Sequence, residues 1–312
     1  MPAPGARIPV FLNAAAGVQA TDPDELRGRL GADIVDIRTT EAGAFDDAIR
    51  EAVRDGASVI GVAGGDGTMR AAAAVLAGSG VALACVPTGT LNNFARRAGI
   101  LGIDDARTAL QTGTTRDMPI GIVQDGVFLN TLTFGEYPRV VRMRERLRPY
   151  MGKWPAAAVA FVVAILTMRR IRVSLTSDTE TVVRRTPFVW VGIGWGSFPR
   201  VDTALERRSS PDLEVAVLRS QSAAGGLGFL LRLAARLLLG RTPVRDSALQ
   251  VLHTRTLTLD ARRAIDATAD GEVVRLVPPV RVTVRDAALR VLTGRGDQQR
   301  NQRQRPTEGT PP

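Results

Sequence analysis

The sequence predicts an α/β N-terminal domain with an open parallel sheet, followed by a C-terminal antiparallel β-sandwich domain. Up to about residue 120, short apolar runs alternate with segments of helical pattern, as in a parallel α/β sheet. Beyond it, valine-rich strand-like segments separated by turn residues predominate. The 312 residues, 45% of them hydrophobic, suffice for two cores. We expect one domain at 1–120 and a second at 121–293, and a terminal strand of the second domain could join the sheet of the first. Residues 294–312 are expected to be a disordered basic tail.

The elements of the first domain follow one another in a regular order. Strands are predicted at residues 7–12, 33–37, 59–63 and 81–86, and helices at 21–31, 44–54 and 69–77. The clearest helix start is Thr21-Asp22-Pro23-Asp24-Glu25, which has a cap residue, a proline in the first turn and acids at the positive end. Polar or glycine turns follow four strands, at Asn13, Thr40, 64–68 and 89–93. Because the carboxyl ends of parallel strands share one sheet edge, we expect one ligand site there.

The turn Gly64-Gly65-Asp66-Gly67-Thr68 lies between a buried strand and an Ala-rich helix. Backbone N–H groups at a helix N-terminus lack intrahelical acceptors and carry the positive end of the helix dipole, so they favour a phosphate. Asp66 would repel a phosphate unless it holds Mg²⁺ or handles the proton of an acceptor hydroxyl. The alternative is that Asp66 only caps the helix.

The second domain is predicted to be mostly β. Its strand-like segments are 120–124, 127–133, 171–175, 181–194, 213–219, 249–259, 272–277 and 280–284. Two segments of helical pattern, 138–168 and 225–241, interrupt them. We interpret both as helices that pack on the sandwich with an arginine face in water; contact with a membrane is the alternative.

The charge is distributed unevenly along the chain. Residues 1–120 carry a net charge of −3 and residues 121–312 one of +13. Nucleic acid or an anionic membrane surface would each match the cationic half. The chain has no nucleic-acid recognition motif and only 4% aromatic residues for base stacking, so we expect no nucleic-acid partner and prefer a membrane surface.

Composition excludes several kinds of site. Lys153 is the only lysine, so no P-loop lysine is present, and the single Cys85 excludes a disulfide framework and a thiolate zinc site. The longest apolar run, 155–168, is shorter than the ~20 residues of a spanning helix, and no signal peptide is recognisable. We therefore expect a cytoplasmic protein, with peripheral contact at the inner face of the membrane as an option. The sole histidine, His253, is expected to be structural.

Three motifs together resemble the diacylglycerol kinase catalytic-domain family. They are Gly64-Gly65-Asp66-Gly67-Thr68, then Pro87-Thr88-Gly89-Thr90-Leu91-Asn92-Asn93-Phe94-Ala95-Arg96, and finally Asp270-Gly271-Glu272. The family includes bacterial lipid kinases, sphingosine kinases and ceramide kinases. The first motif alone is unspecific, because NAD kinases and phosphofructokinases use similar turns. The order and spacing of all three are specific, and the resemblance extends from residue 7 to about residue 292.

The resemblance implies a kinase that uses ATP and Mg²⁺ to phosphorylate the hydroxyl group of a lipid alcohol such as diacylglycerol. Asp66, Asp270 and Glu272 are the implied catalytic residues, with either Asp270 or Glu272 as the base that takes the acceptor proton. The residues implied in nucleotide binding are Asn13, Gly17, Thr40, Gly64, Gly65, Asp66, Gly67, Thr68, Gly89, Thr90 and Asn92. Asp66 is the implied metal ligand, and Asp212 that of an accessory Mg²⁺. From the residues alone, Asp270-Gly271-Glu272 is better explained by an ordinary hairpin bend with two solvated acids, and only the upstream motifs favour a catalytic pair.

The sequence departs from the family pattern at three places. The first turn is Asn13-Ala14-Ala15-Ala16-Gly17, where a proline usually follows the asparagine, and Asn93 stands where aspartate is common. The accessory-metal motif is altered around Asp212. Two other functions stay open: a soluble-acceptor kinase of the NAD kinase type, and a nucleotide- or lipid-binding module without catalysis.

Overall fold

The computed structural model describes residues 7–13, 22–41, 43–167, 170–178, 180–193, 212–218 and 249–294. Gly17, the apolar segment 225–241 and the expected tail beyond residue 294 lie outside these ranges. The chain divides into two compact units. The first comprises residues up to Met118 and again from Ala287, and the second runs from Pro119 to Asp286.

The first unit is built on a parallel sheet. Its strands are β1 (Ile8–Asn13), β2 (Val35–Thr40), β3 (Val59–Gly64) and β4 (Ala82–Pro87), in the order β2-β1-β3-β4. All neighbouring pairs are parallel. Every residue of β3 and β4 is buried, as expected for central strands covered on both faces. The predicted open parallel sheet is confirmed.

Five helices accompany this sheet. They are α1 (Pro23–Leu30), α2 (Phe45–Arg54), α3 (Asp66–Leu76), α4 (Asn93–Arg97) and α5 (Ile103–Thr112). The predicted helix start is confirmed: Asp22 is the N-cap of α1, and its carboxylate accepts the Asp24 N–H at 2.9 Å. Helix α1 packs with α5, and α2 packs with α3.

The second unit is mostly antiparallel. Most of its strands are β6 (Gly126–Phe128), β7 (Thr131–Gly135), β8 (Ile171–Thr176), β9 (Thr181–Thr186), β10 (Phe188–Ile193), β11 (Leu213–Leu218), β12 (Leu249–Thr254), β13 (Thr256–Asp260), β14 (Ile265–Ala269) and β15 (Glu272–Leu276). Strands β5 (Thr115–Val123) and β16 (Val280–Leu292) run from one unit into the other. One sheet has the order β12-β11-β10-β7-β14-β15. The other set of paired strands has the order β16-β13-β8-β9, in which β16 contributes its segment from this unit.

These two sets of strands share one apolar core. Phe134 and Val215 contribute from the six-stranded sheet, and Leu175, Leu257 and Val282 from the other strands, and the core cluster joins them. A core enclosed by two antiparallel sheets is the arrangement of a β-sandwich. The predicted sandwich is therefore confirmed, although two predicted long strands are each divided, at Pro187 and at Arg255.

A helical hairpin replaces the single helical segment predicted at 138–168. Helix α6 (Tyr137–Met151) packs on β7, β14 and β15, and helix α7 (Lys153–Leu166) packs on α6. Gly152 separates the two helices with a φ of 80°, a conformation that favours glycine. The expected arginine face in water is wrong for α7, whose solvent-facing side chains are apolar.

Strand β16 has 13 residues and takes part in both units. Within the second unit its beginning pairs antiparallel with β13, where Thr283 lies opposite Thr256. Its end, from Ala287, belongs to the first unit, where Val291 pairs in parallel with Leu83 of β4. Across the described part of the chain, no helix combines the length and the apolar character that crossing a membrane requires.

Candidate active site

The carboxyl ends of the first unit's parallel strands lie side by side. Asn13 at the end of β1 pairs with Thr40 at the end of β2, and Gly64 at the end of β3 pairs with Pro87 at the end of β4. Thr40 is buried, and its hydroxyl donates to the Leu12 carbonyl at 3.3 Å. The structure thus brings Asn13, Thr40, the 64–68 turn and the turn after Pro87 to one sheet edge.

Asp66 joins the two glycine turns. It is the first residue of α3, and its carboxylate oxygens accept the backbone N–H groups of Asn93 at 3.1 Å and Phe94 at 2.9 Å. These N–H groups belong to the first turn of α4, which has no acceptor of its own for them. Asp66 therefore caps α4 and not α3, the helix it begins, whose N-terminus has no side-chain cap.

The backbones of the two turns are in contact. A Cβ atom on Gly89 would lie 2.4 Å from the Cα of Gly65, and one on Gly64 would lie 2.5 Å from the side chain of Thr68. No side chain fits at either position without moving the backbone or Thr68. The glycines therefore allow the turns after β3 and β4 to approach each other.

Asn92 fixes the shape of the second turn. Its side-chain oxygen accepts the Gly89 N–H at 3.1 Å, and its side-chain nitrogen donates to the Gly89 carbonyl at 2.8 Å. The residue has the left-handed conformation, with a φ of 51°, which asparagine tolerates better than most residues. The amide of Asn92 is thus engaged in holding the loop, whereas Thr90 beside it is exposed.

Cys85 lies under this edge, in the middle of β4. It is completely buried, and burial, with the nearby negative charge of Asp66 as a second cause, raises the pKa of its thiol to about 12. A neutral thiol in this position is neither a nucleophile nor a metal ligand. The expected structural role of Cys85 agrees with this environment.

In the second unit, Asp270 occupies the turn between β14 and β15. Its carboxylate accepts three backbone N–H groups, from Leu129 and Asn130 at 2.7 Å each and from Thr131 at 3.0 Å. Its own N–H donates to the Thr131 carbonyl at 2.9 Å. Asp270 therefore clamps the hairpin to the start of β7. With three donors to the charged form, its carboxylate is a poor candidate for accepting a substrate proton.

Glu272 lies on the other side of the same turn, opposite Ala269 across the hairpin. It is exposed and lines a cleft of about 530 Å³ between α6 and the hairpin. The same cleft is lined by Arg142, Arg144 and Arg146 of α6. Glu145 lines the cleft as well, so its lining carries both arginines and glutamates. Of the two candidate bases, Glu272 is the one that lies at the surface of this cleft.

The described residues provide one carboxylate for a metal at the first-unit site, Asp66. A carboxylate has about four lone-pair sites on its two oxygens, so a carboxylate that accepts backbone N–H groups can also be a metal ligand. Within the described ranges, no three His, Cys, Asp or Glu side chains form a group able to hold a metal ion. Asp212, which lies just before β11, is therefore not part of such a group among these residues. Mg²⁺ is commonly bound through one or two carboxylates together with substrate phosphates. The donor set therefore fits an ion that arrives with a nucleotide.

Three parts of the site were not found by reasoning from sequence. These are the Asn93 and Phe94 N–H groups that hold Asp66, the 129–131 segment that holds Asp270, and the arginines that line the cleft with Glu272. The first two are backbone contacts between distant parts of the chain and leave no side-chain signal. The arginines are visible in the sequence, but there they were interpreted as a solvated helix face.

Comparison with known proteins identifies the family. The model of the diacylglycerol kinase catalytic domain matches residues 7–123. A Pseudomonas aeruginosa protein (strain UCBPP-PA14) named "Probable lipid kinase YegS-like" is 31% identical over 266 residues, which are 81% of this chain and 82% of that protein. A Mycobacterium tuberculosis protein (strain CDC 1551 / Oshkosh) named "Diacylglycerol kinase" is 28% identical over 284 residues, covering 85% and 86%.

A solved structure extends the likeness to the fold. The crystal structure of a diacylglycerol kinase from Bacillus anthracis str. Sterne superimposes with a TM-score of 0.64, at 17% identity, over 93% of this chain and 97% of that one. Sequence and fold therefore define the class of this protein as a phosphotransferase of the kinase type. It belongs to the diacylglycerol kinase catalytic-domain family of lipid kinases, and the resemblance stated from its motifs is confirmed.

Proposed function

We propose that this protein is an ATP-dependent lipid kinase that transfers the γ-phosphoryl group of ATP to a hydroxyl group of diacylglycerol or a related lipid alcohol. The observation that carries the proposal is the pair of glycine turns at the parallel-sheet edge, joined by Asp66 and by the close approach of Gly65 to Gly89. Such an edge presents helix N-terminal N–H groups to phosphates without a P-loop lysine.

The nucleotide is assigned to the first unit. Main-chain groups of the two turns would cradle the phosphates, because the glycines there have no Cβ atom to hold a ligand away from the backbone. Thr40 is held by the Leu12 carbonyl and borders the same edge. The residues proposed for nucleotide binding are Asn13, Gly17, Thr40, Gly64, Gly65, Asp66, Gly67, Thr68, Gly89, Thr90 and Asn92.

The acceptor proton is assigned to Glu272. As the lipid oxygen forms its bond to the γ-phosphorus, its proton passes to the Glu272 carboxylate, and the bond from that phosphorus to the bridging oxygen breaks, releasing ADP. Asp270 acts as a positioning residue, because its three backbone acceptor contacts fix the hairpin that carries Glu272. Mg²⁺, held by Asp66 together with the nucleotide, would neutralise phosphate charge. The accessory metal at Asp212 stays a prediction.

Peripheral contact with an anionic membrane is part of the proposal. The substrate of a lipid kinase resides in a bilayer, and residues 121–312 carry a net charge of +13. Basic residues near an anionic surface are attracted by about 1 kcal/mol each. This attraction would bring the protein to the inner face of the membrane, and it requires no nucleic-acid partner.

The direct test is transfer of label from γ-labelled ATP to a panel of acceptors in the presence of Mg²⁺. The panel contains diacylglycerol, a sphingoid base, a prenyl alcohol and, as a soluble acceptor, NAD. Wild-type protein is compared with Glu272→Gln and with Glu180→Gln, a matched change at an exposed glutamate of the same unit. We expect a labelled lipid with wild type and Glu180→Gln, and a loss of about 100-fold or more with Glu272→Gln.

Two outcomes would contradict the proposal. Label on NAD without any lipid dependence would indicate a soluble-acceptor kinase. Binding of ATP without transfer to any acceptor would indicate a non-catalytic binding module.

A further inference from the structure

Helix α7 and the end of α6 expose large apolar side chains to solvent. These side chains are 40–86% exposed, and we call them the apolar outer face: Tyr150, Met151, Trp154, Val159, Phe161, Val162 and Leu166. Helices of water-soluble domains usually turn their large apolar residues to the core and their polar residues outward. Helix α7 has the opposite arrangement, and contiguous apolar patches of this kind mark interaction sites.

The buried side of α7 explains why its large residues face outward. The buried side chains described for this helix are Ala156, Ala160 and Ala164, which recur every four residues and therefore form one stripe. Helix α7 packs on α6, so this contact is made by small side chains. The large side chains of the apolar outer face lie outside this stripe and remain 40% or more exposed.

The segment that carries the apolar outer face is rich in basic residues. Residues 137–166 contain five arginines and Lys153 but one acid, Glu145. That acid is shared by Arg144 at 2.7 Å and Arg148 at 3.3 Å. Neighbouring acids pair with two further arginines: Glu136 with Arg139 at 3.1 Å, and Asp266 with Arg142 at 2.7 Å. An excess of basic charge remains, and it is complementary to anionic headgroups.

We infer that the apolar outer face inserts into the interfacial layer of an anionic phospholipid bilayer, with the α6 arginines at the level of the headgroups. Helix α7 has 14 residues, and at 1.5 Å per residue it is about 21 Å long, too short for a hydrocarbon core of about 30 Å. It would therefore lie in the membrane plane, as amphipathic helices with tryptophan, phenylalanine and leucine on one face and basic residues on the other do.

The position of α6 gives this contact a purpose that rests on the proposed lipid kinase function. Arg142, Arg144 and Arg146 line the cleft that also contains Glu272, so the helix next to the membrane borders the proposed base. A lipid alcohol then needs to leave the bilayer only as far as the headgroup level. A second copy of this chain fits the same face less well, because a two-fold contact would bring both sets of arginines together.

The experiment measures binding of the full chain, without nucleotide, to phosphatidylcholine vesicles with and without phosphatidylglycerol, by co-sedimentation. The test variant carries Val162→Glu and Leu166→Glu, at positions 53% and 77% exposed. The matched control carries Val183→Glu and Leu101→Glu, at positions 52% and 66% exposed. Both variants change the same residue types and the same charge, and neither touches the proposed catalytic or nucleotide-binding residues.

We expect wild type and control to bind anionic vesicles. The test variant should bind them about tenfold or more weakly, because it lacks two apolar side chains that the bilayer would bury. The fluorescence of Trp154 should shift to shorter wavelength on binding, and Trp154→Phe is the reference that accounts for the signal of Trp190 and Trp195. Equal binding by test and control variants would overturn the inference. So would equal binding of wild type to neutral and anionic vesicles.

Other occupants of the face give different results. If a second copy covers it, wild type sediments as a dimer that the test variant dissociates, and vesicles leave Trp154 unchanged. If the segment 225–241 covers it, Trp154 is shielded from a soluble quencher before vesicles are added. Either result would overturn the inference. Because binding is measured without ATP, the two proposals can fail separately. A protein that phosphorylates lipid but does not bind vesicles would refute this inference alone. A protein that binds vesicles but phosphorylates no lipid would refute only the kinase proposal.

Discussion

The carboxylate of Asp66 and the backbone N–H of Phe94 are joined by a hydrogen bond of 2.9 Å, although they lie 28 positions apart in the sequence. The neighbouring Asn93 N–H donates to the other carboxylate oxygen at 3.1 Å. One side chain thereby starts α3 and caps α4, so the turns after β3 and β4 are held as a single structure. This capping contact is by itself a reason for an aspartate at the start of α3.

Asp66→Ala should lose both stability and nucleotide binding. Removing a cap costs about 1–2 kcal/mol of unfolding free energy, and here the second turn also loses its attachment to the first. Thermal unfolding and calorimetric titration with ATP measure the two effects. The control is Asp22→Ala, which removes the cap of α1 in the same unit and should lower stability similarly with little change in ATP affinity. Unaltered ATP affinity in Asp66→Ala would speak against the joined turns as the nucleotide site.

Asp270→Asn and Glu272→Gln should have separable effects. In Asp270→Asn, the amide nitrogen would point its N–H groups at backbone N–H groups that now donate to the Asp270 carboxylate. A part-buried backbone donor would then lack an acceptor, at a cost of about 1–3 kcal/mol of unfolding free energy. Glu272 is exposed, so Glu272→Gln should change stability by less than about 0.5 kcal/mol while it lowers kcat. Melting temperature and lipid phosphorylation, measured on both variants, check this. A Glu272→Gln protein with normal kcat would exclude it as the base.

Gly89→Ala should weaken ATP binding and stability, because the new Cβ would meet the Gly65 Cα at 2.4 Å. The two turns would have to separate, which disturbs the backbone groups proposed to hold the phosphates. The same substitution at Gly28, inside α1, has open space around it and should stabilise the protein by about 0.5–1 kcal/mol through better helix propensity. Unfolding curves and ATP titrations of both variants give the answer. Tighter ATP binding by Gly89→Ala would contradict the proposed site.

Glu214→Gln should stabilise the protein at alkaline pH. Burial in β11 raises the pKa of Glu214 from 4.5 to about 7. Across the sheet it lies opposite His253 of β12 and Gly192 of β10. Because the folded-state pKa is raised, the penalty for ionising Glu214 is absent below the unfolded value of 4.5, grows as pH rises, and is complete above about 7.

At about pH 8 the Gln variant should therefore unfold at a higher temperature than wild type. Its free energy of unfolding should be larger by up to roughly 3 kcal/mol, and solvent screening of the Glu214 charge makes the actual gain smaller. Below pH 4.5 the two proteins should differ little. Thermal melts across this range, with Glu180→Gln as the same substitution at an exposed position, test the prediction. A stability difference independent of pH would assign Glu214 to packing alone.

Much of the first unit was predictable because its signals are local. A fully apolar run before Gly64 predicts a central strand, and Asp22-Pro23 predicts a helix start, and both are found. The helical hairpin was less predictable, since Gly152 alone separates α6 from α7 within one continuous helical pattern. The outward direction of the large residues of α7 depends on which side meets α6, and periodicity does not specify that.

The site was predictable in its residues but not in their tasks. The positions of Asp66 and Asp270 follow from the motifs, yet the groups that hold their carboxylates are backbone N–H groups 27 to 141 positions away. Every non-proline residue has such a donor, so a sequence contains no mark of which ones will be used. The preference for Glu272 over Asp270 required knowledge of those contacts.

Strand β16 makes the order of synthesis relevant to folding. Strand β4 receives its neighbour from residues 287–292, which leave the ribosome after the whole second unit has been made. Until then the growing parallel sheet has an open edge, and open edges invite pairing with other chains. A fragment ending near residue 118 would keep that edge permanently, so the nucleotide half should be expressed with its distant last strand rather than cut at the first boundary.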